Sequence, residues 1–257
     1  MSEQKNTPNY VDLKRPTIFA HRGSSVQAPE NTLAAFRLAL EQHADAIELD
    51  ATLSADGQVV VIHDDTVDRT TNGSGRVNSM TLSELRCLDA GSKFYPAYRS
   101  EKIPSLREVF ETVGQKIFIN VELKNYISPT DDLPDRVIAL VQECNLQSSV
   151  MVSSFNIFAL IRARSLLPSL PLGLITIQGL AQFTLLSKLV RFGPRFALHS
   201  NISDVTPKLI QDTHSANSRL HAFTVNEPDV MLRMFKAGID GIFTPNPLLA
   251  RKVLSEI

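Results

Sequence analysis

Polar, ionisable residues stand where short apolar runs of this chain stop. His21-Arg22-Gly23 follows Ile18-Phe19-Ala20, Glu48 and Asp50 close a second run, His63-Asp64 closes a third, and Glu122-Leu123-Lys124 closes a fourth. Together these types could cleave a phosphodiester. Glu48, Asp50 and Glu122 are hard oxygen donors that suit Mg²⁺ or Ca²⁺, with Mn²⁺ as a further candidate, better than zinc. A dication held there would polarise a phosphoryl oxygen or an attacking hydroxyl. Arg22 offers a planar fork for phosphate oxygens, and Lys124 adds a point charge. Histidine side chains exchange protons near neutral pH, so one of His21 and His63 can deprotonate a nucleophile while the other protonates a departing alkoxide. One strand-end histidine would mean little. Seven ionisable groups converging from successive strands would be costly to desolvate without a ligand or metal to balance them.

For these groups to converge, the strand ends must form one rim. Short β-rich runs alternate with longer helical stretches, the pattern of a parallel sheet with crossover helices. The predicted strands are residues 17–20, 46–50, 117–123, 150–153, 172–176, 196–199, 220–225 and 241–244, which makes the eight of a TIM (β/α)8 barrel. In that fold the C-terminal strand ends carry the active site. Period-two alternation puts Glu48 and Asp50 on one face, with Leu49 pointing away. A ninth run, 58–63, breaks the alternation and follows Asp56-Gly57, a strong hairpin signal. It reads as the returning arm of a hairpin from the second strand. A two-residue loop would set Ala55 opposite Gln58 and Asp50 opposite His63. Helices are predicted at 31–42, 105–113, 135–143, 157–166, 206–213 and 228–237, the first with Leu33, Phe36 and Leu40 as its apolar face and Asn31 or Thr32 as N-cap. Residues 64–102, with Asn72-Gly73-Ser74-Gly75, are too long for a βα loop and predict a small inserted subdomain capping the barrel mouth.

The bulk numbers agree with one such domain over 16–257, preceded by a polar extension, 1–15. A length of 257 residues is ordinary for a TIM barrel, and 43% hydrophobic with 21% charged residues is ordinary globular composition. A formal net charge of −1 gives no field to attract nucleic acid or an anionic membrane. Residues 1–15 lack the order of a secretory signal, and no apolar run reaches the roughly 18–20 residues that span a bilayer. The expectation is a cytoplasmic protein with a small-molecule substrate, no nucleic-acid partner and no stable membrane insertion. Cys87 and Cys144 read as ordinary thiols.

His21-Arg22-Gly23, Pro29-Glu30-Asn31-Thr32, Glu48-Leu49-Asp50, Asp56-Gly57, His63-Asp64, Ile103-Pro104 and Glu122-Leu123-Lys124 together, in order and spacing, resemble the glycerophosphodiester phosphodiesterases. Later echoes are Ser154-Phe155, Thr224-Val225-Asn226 and Gly238-Ile239-Asp240-Gly241, so the resemblance covers about 16–247. It implies a TIM barrel, one divalent cation, and hydrolysis of glycerophosphodiesters to glycerol 3-phosphate and an alcohol. It also implies attack by the glycerol 2-hydroxyl to give a cyclic phosphate that water then opens. By position, His21 and His63 match the family's acid–base pair, Glu48, Asp50 and Glu122 its metal ligands, and Arg22 and Lys124 its phosphate contacts. The chain departs from the pattern at Phe223, where the family commonly has Trp. Phe223 keeps an apolar substrate wall without the indole N–H. It also has Thr244-Pro245 where Thr-Asp is common.

Two rival readings share these residues. A lysophospholipase D or phospholyase-like enzyme would use the same histidines and metal on lipid substrates. A non-catalytic barrel binding a phosphorylated ligand would have no use for two histidines poised for proton transfer. Among the other polar residues, His43 reads as solvated at a helix end and His221 as structural within a strand. His199 reads equally as a rim group or a packed one. Glu30-Asn31 could touch the site or cap the first helix, and Asp64 and Asp65 could support the site or form a turn. The apolar stretch 180–192 reads as a core-facing helix, with an amphipathic lipid-facing flap as the sharper alternative.

Overall fold

The computed structural model describes residues 8–126, 130–181 and 195–257. The predicted apolar stretch 180–192 lies, beyond Ala181, outside the described residues.

Eight parallel strands close on themselves. They are β1 (Thr17–His21), β2 (Ala46–Leu53), β4 (Phe118–Leu123), β5 (Val150–Ser154), β6 (Leu172–Ile175), β7 (Phe196–Asn201), β8 (Arg219–Phe223) and β9 (Gly241–Thr244). β1 pairs with both β9 and β2, which seals the barrel. The strands are near-continuous apolar runs because both faces are covered. Outward-pointing Ile18, Ala20, Ile47, Leu49, Ala51, Ile119, Val121 and Leu123 join the layer under the helices. Inward-pointing Phe19, Ala46, Phe118, Met151, Ala197 and Phe243 fill the barrel with Tyr10. Tyr10 closes the end opposite the rim, with the Arg219 guanidinium 4.5 Å from its ring centroid. Asp240 ties the same end together. Its carboxylate accepts from the Leu220 amide and pairs with Arg15 and His214, so the Gly238–Gly241 echo is structural.

The predicted helices are present as α1 (Leu33–Glu41), α3 (Leu106–Val113), α4 (Leu133–Glu143), α5 (Ile157–Leu166), α6 (Pro207–Ser215) and α7 (Pro228–Lys236). Thr32, not Asn31, caps α1, its hydroxyl accepting from the Ala35 amide. Two short helices escaped the sequence reading: α2 (Leu82–Cys87), closed by a Thr81/Glu84 capping box, and α8 (Pro247–Leu254), started by Asn246-Pro247. Residues 64–102 wrap a small apolar cluster of their own, in which Val67, Val77, Leu85 and Ala90 pack on Val60 and Ile62. Cys87 and Cys144 are free thiols.

The hairpin prediction needs a correction by one residue. β3 (Val59–Val61) runs antiparallel to β2 with Leu53 opposite Val59 and Ala51 opposite Val61. The Ile62 amide therefore donates to the Asp50 carbonyl, and His63 is not opposite Asp50. The loop holds three residues, Ala55-Asp56-Gly57. A turn closed by the Gly57 amide on the Ser54 carbonyl ends on Gly57 at φ +70°, the left-handed position that three-residue hairpin loops require.

Two inward histidines give the barrel a built-in acid sensitivity. The His199 and His221 rings lie 5.1 Å apart, with Phe243 4.9 Å from His199 and Phe19 4.9 Å from His221. Burial pushes His199 down to about 3 and, with the charges of His199 and Arg219, pushes His221 well below its ordinary value. Both are neutral in the folded chain, whereas the unfolded chain protonates them near pH 6.5. Their contribution is fully present above that pH and is lost as pH falls, by up to about 1.4 kcal/mol per unit per histidine. Denaturant unfolding of wild type and His221→Leu at pH 7.5, 6 and 5 should show a shallower loss for the variant. Equal slopes would contradict this.

Candidate active site

Strand periodicity and register build the site. In β4, Phe118, Asn120 and Glu122 point inward at rising levels, so the phenyl ring is deep and the carboxylate reaches the rim. Parallel register sets His21 beside Glu48 and Asp50 beside Glu122. Among the described residues, Glu48, Asp50 and Glu122 form the group able to hold a metal ion, with one donor atom of each lying within 4.8 Å of the others.

The turn after β1 is bent to serve this cluster. Arg22 and Gly23 have φ of +57° and +82°, and a Cβ on Gly23 would come within 2.7 Å of Ala35 on α1, so only glycine fits. This turn aims the Arg22 amide at Glu48 Oε2, at 2.9 Å. The Arg22 guanidinium donates to Glu30 Oε1 at 2.9 Å and lies 3.4 Å from Asp50 Oδ2. Asn31 Nδ2 donates to the same Asp50 oxygen at 2.8 Å. Lys124 Nζ lies 3.3 Å from Glu122 Oε1 and 3.7 Å from Asp50 Oδ1, and the Tyr126 hydroxyl donates to Glu122.

The carboxylates fit a dication. Burial, reinforced by the charge of Asp50, raises the Glu48 and Glu122 carboxyls above the ordinary range, with the Glu122 charge adding to the effect on Glu48. Glu48 Oε1 is buried and accepts no hydrogen bond. Three carboxylates face two cations, Arg22 and Lys124, in the cluster. A dication together with a phosphodiester monoanion would balance that charge.

The two histidines differ in their surroundings. His21 Nε2 is 3.9 Å from Glu48 Oε2. Burial, then the charges of Arg22 and His63, lower His21 to about 4 against the opposing pull of Asp50 and Glu30, so its ring is neutral at pH 7. His63 Nδ1 lies 2.6 Å from Asp64 Oδ1. Hydrogen bonds from Arg69 and His63 hold the Asp64 carboxyl well below the usual range despite some burial, so it is an ionised acceptor and Nδ1 carries the proton. His63 Nε2 is then the nitrogen free for chemistry.

His21, Arg22, Glu48, His63, Glu122 and Lys124 line a cavity of about 180 Å³ whose other walls are Asn120, Phe155, Ile175, His199, Phe223, Thr224 and Phe243. Phe223 and Phe155 form an aromatic side wall with ring centroids 6.5 Å apart, continued by Tyr126 at 5.6 Å from Phe155.

Residues 21–249 match the glycerophosphoryl diester phosphodiesterase family. The chain belongs to this family. It is 41% identical over 231 residues to a glycerophosphodiester phosphodiesterase of Caldanaerobacter subterraneus subsp. tengcongensis, covering 90% of this chain and 94% of that one. It is 37% identical to the glycerophosphodiester phosphodiesterase of Bacillus altitudinis, with coverage of 93% and 98%. The fold matches a phosphodiesterase of Oleispira antarctica, solved with its product sn-glycerol 3-phosphate, at a TM-score of 0.83 and 34% identity over 94% of this chain and 97% of that one. Among the described residues no helix is long and apolar enough to cross a membrane.

His21, Arg22, Glu48, His63, Glu122, Lys124 and Phe223 all line this cavity, with Asp50 bonded beneath Arg22. Glu30 and Asn31 both touch the cluster, and Asp64 rather than Asp65 bonds His63. His199 is both readings at once, packed and facing the cavity floor. Sequence reasoning missed Arg69, Asn120 and Tyr126. Asn120 was findable, since it shares the inward parity of Glu122. Arg69 and Tyr126 sit in loops, where no periodicity marks an inward residue.

Proposed function

We propose that this chain hydrolyses glycerophosphodiesters to glycerol 3-phosphate and an alcohol, with the glycerol 2-hydroxyl as first nucleophile. One observation carries the reading: two histidines of unlike surroundings stand in one cavity with Glu48 and Glu122 of a largely buried three-carboxylate cluster. Glu48, Asp50 and Glu122 would hold Mg²⁺ or Ca²⁺, with Mn²⁺ a further candidate; when bound, the ion polarises oxygen and neutralises developing charge. Arg22 and Lys124 orient the phosphate oxygens. His21, neutral at pH 7, takes the proton of the attacking hydroxyl, and His63, with Asp64 on Nδ1 and a second proton on Nε2, gives the Nε2 proton to the leaving oxygen. In the second half the roles reverse, and water opens the cyclic phosphate. Phe223 and Phe155 bound the site with apolar surface.

Lysophospholipids are a second reading, favoured by exposed Phe158 and Ile177, which follow the C-terminal ends of β5 and β6. A substrate panel separates the two and tests the nucleophile. Glycerophosphocholine should be cleaved, whereas the propane-1,3-diol analogue that lacks the 2-hydroxyl should be inert. Cleavage of the analogue would exclude the cyclic route, and cleavage of lysophosphatidylcholine alone would move the substrate class to lipids.

A further inference from the structure

Arg69 belongs to the inserted segment, five residues after Asp64 and 39 after Glu30, and its guanidinium joins the two histidine turns. Nη1 and Nη2 donate to Glu30 Oε2 and Oε1 at 2.8 and 2.7 Å, while Nε and Nη2 donate to Asp64 Oδ2 and Oδ1 at 2.7 and 3.0 Å. Every nitrogen of the fork is thus engaged. Behind Glu30 stands Arg22, whose guanidinium donates to it at 2.9 Å and whose backbone follows His21. Behind Asp64 stands His63, at 2.6 Å. One planar group therefore ties the turn after β1 to the turn after β3.

Stability alone gives a weak reason for this arrangement. The Arg69 side chain is 48% exposed, and ion pairs at such sites add little to folding. What the double fork supplies is geometry, because two parallel hydrogen bonds fix the plane and azimuth of a carboxylate in a way a point charge does not. The Asp64 carboxylate in turn sets the ring plane and tautomer of His63. The Glu30 carboxylate sets the Arg22 guanidinium against Asp50.

We infer that Arg69 is a positioning residue for the phosphodiesterase reaction, a clamp through which the inserted segment holds His63 and Arg22 in working alignment. The inference rests on the proposed role of His63 as proton donor to the leaving oxygen. It also assigns the insertion a function in catalysis beyond covering the barrel mouth.

The test compares kcat and KM of wild type, Arg69→Ala, Arg69→Lys, Asp64→Asn and His63→Ala on glycerophosphocholine and on glyceryl p-nitrophenyl phosphate, with thermal unfolding of each protein. Misplacing a catalytic group by about an ångström costs on the order of 100-fold. Arg69→Ala is therefore expected to lose roughly 10- to 100-fold in kcat on glycerophosphocholine with a smaller rise in KM. Its loss should shrink on the p-nitrophenyl substrate, whose leaving group needs no proton, and its unfolding temperature should stay near that of wild type. Arg69→Lys, which keeps the charge and loses the fork, should remain impaired and provides the reading if the alanine variant does not fold. Asp64→Asn should show the same dependence on leaving group. Wild-type kcat in Arg69→Ala beside an inactive His63→Ala would overturn the clamp alone. An equal loss on both substrates would overturn the hold on His63, since only that histidine's role depends on the leaving group. Full activity in His63→Ala would overturn the reading of His63 and the clamp with it.

Discussion

Alanine at His63 should lower turnover of glycerophosphocholine by about 10²- to 10⁴-fold, the range expected for loss of a general acid. The same variant should lose far less on glyceryl p-nitrophenyl phosphate, because a phenolate departs without protonation. His21→Ala should lose activity on both substrates, since the attacking 2-hydroxyl is common to them. The asymmetry follows from the surroundings. His21 is half-buried and lowered to about 4, so at pH 7 it is neutral and has a nitrogen open to accept a proton. His63 has the Asp64 carboxylate behind Nδ1 and presents only Nε2 to the cavity. The double variant should fall little below the worse single one, because residues acting as a unit are not additive. Steady-state kinetics on the two substrates decides this, and equal losses for both variants on both substrates would remove the assignment of roles.

The second large effect is on stability. At a hundred times its dissociation constant, a dication bound only by the folded chain should add about 2.7 kcal/mol, or roughly 5–10 °C in unfolding temperature for a domain of this size. Glu48 and Glu122 have carboxyls raised by burial and by the charge of Asp50. A raised folded value means their contribution is present at low pH and is lost as pH rises through that value. Without a cation, the cluster therefore destabilises the fold most at neutral and alkaline pH, where a cation has the most to relieve. The increment from Mg²⁺ or Ca²⁺ over EDTA should be large at pH 8 and shrink towards pH 5. Glu48→Gln should be more stable than wild type in EDTA and gain little from cations. Differential scanning calorimetry of both proteins with and without cation measures all of this. An increment that is absent, or that survives in Glu48→Gln, would take Glu48 out of the metal site.

Much of this site was legible because strands carry a strict period of two. Once residues 46–50 and 117–123 are taken as neighbouring parallel strands, Glu48, Asp50 and Glu122 must share the barrel interior near its rim, as they do. The eight-strand pattern was legible for the same reason, through long buried apolar runs. The hairpin register was not, since Asp56-Gly57 suits both a two-residue and a three-residue loop and the choice shifts every pairing by one. Helix α8 begins at Asn246-Pro247, a legible start that went unread after the last strand. Arg69 is different in kind. Its partners Glu30 and Asp64 are brought to it by the path of an irregular segment, and no local periodicity encodes that path. The same holds for Tyr126, which reaches Glu122 from the loop after β4.

The decisive measurement is release of sn-glycerol 3-phosphate from glycerophosphocholine, followed in wild type and His21→Ala with EDTA and then with Mg²⁺, Ca²⁺ or Mn²⁺ restored. Wild type should release the product, lose activity in EDTA and recover it with at least one of these cations, while folded His21→Ala should release none under any of them. Release that persists in EDTA, or undiminished release by His21→Ala, would contradict the proposed mechanism.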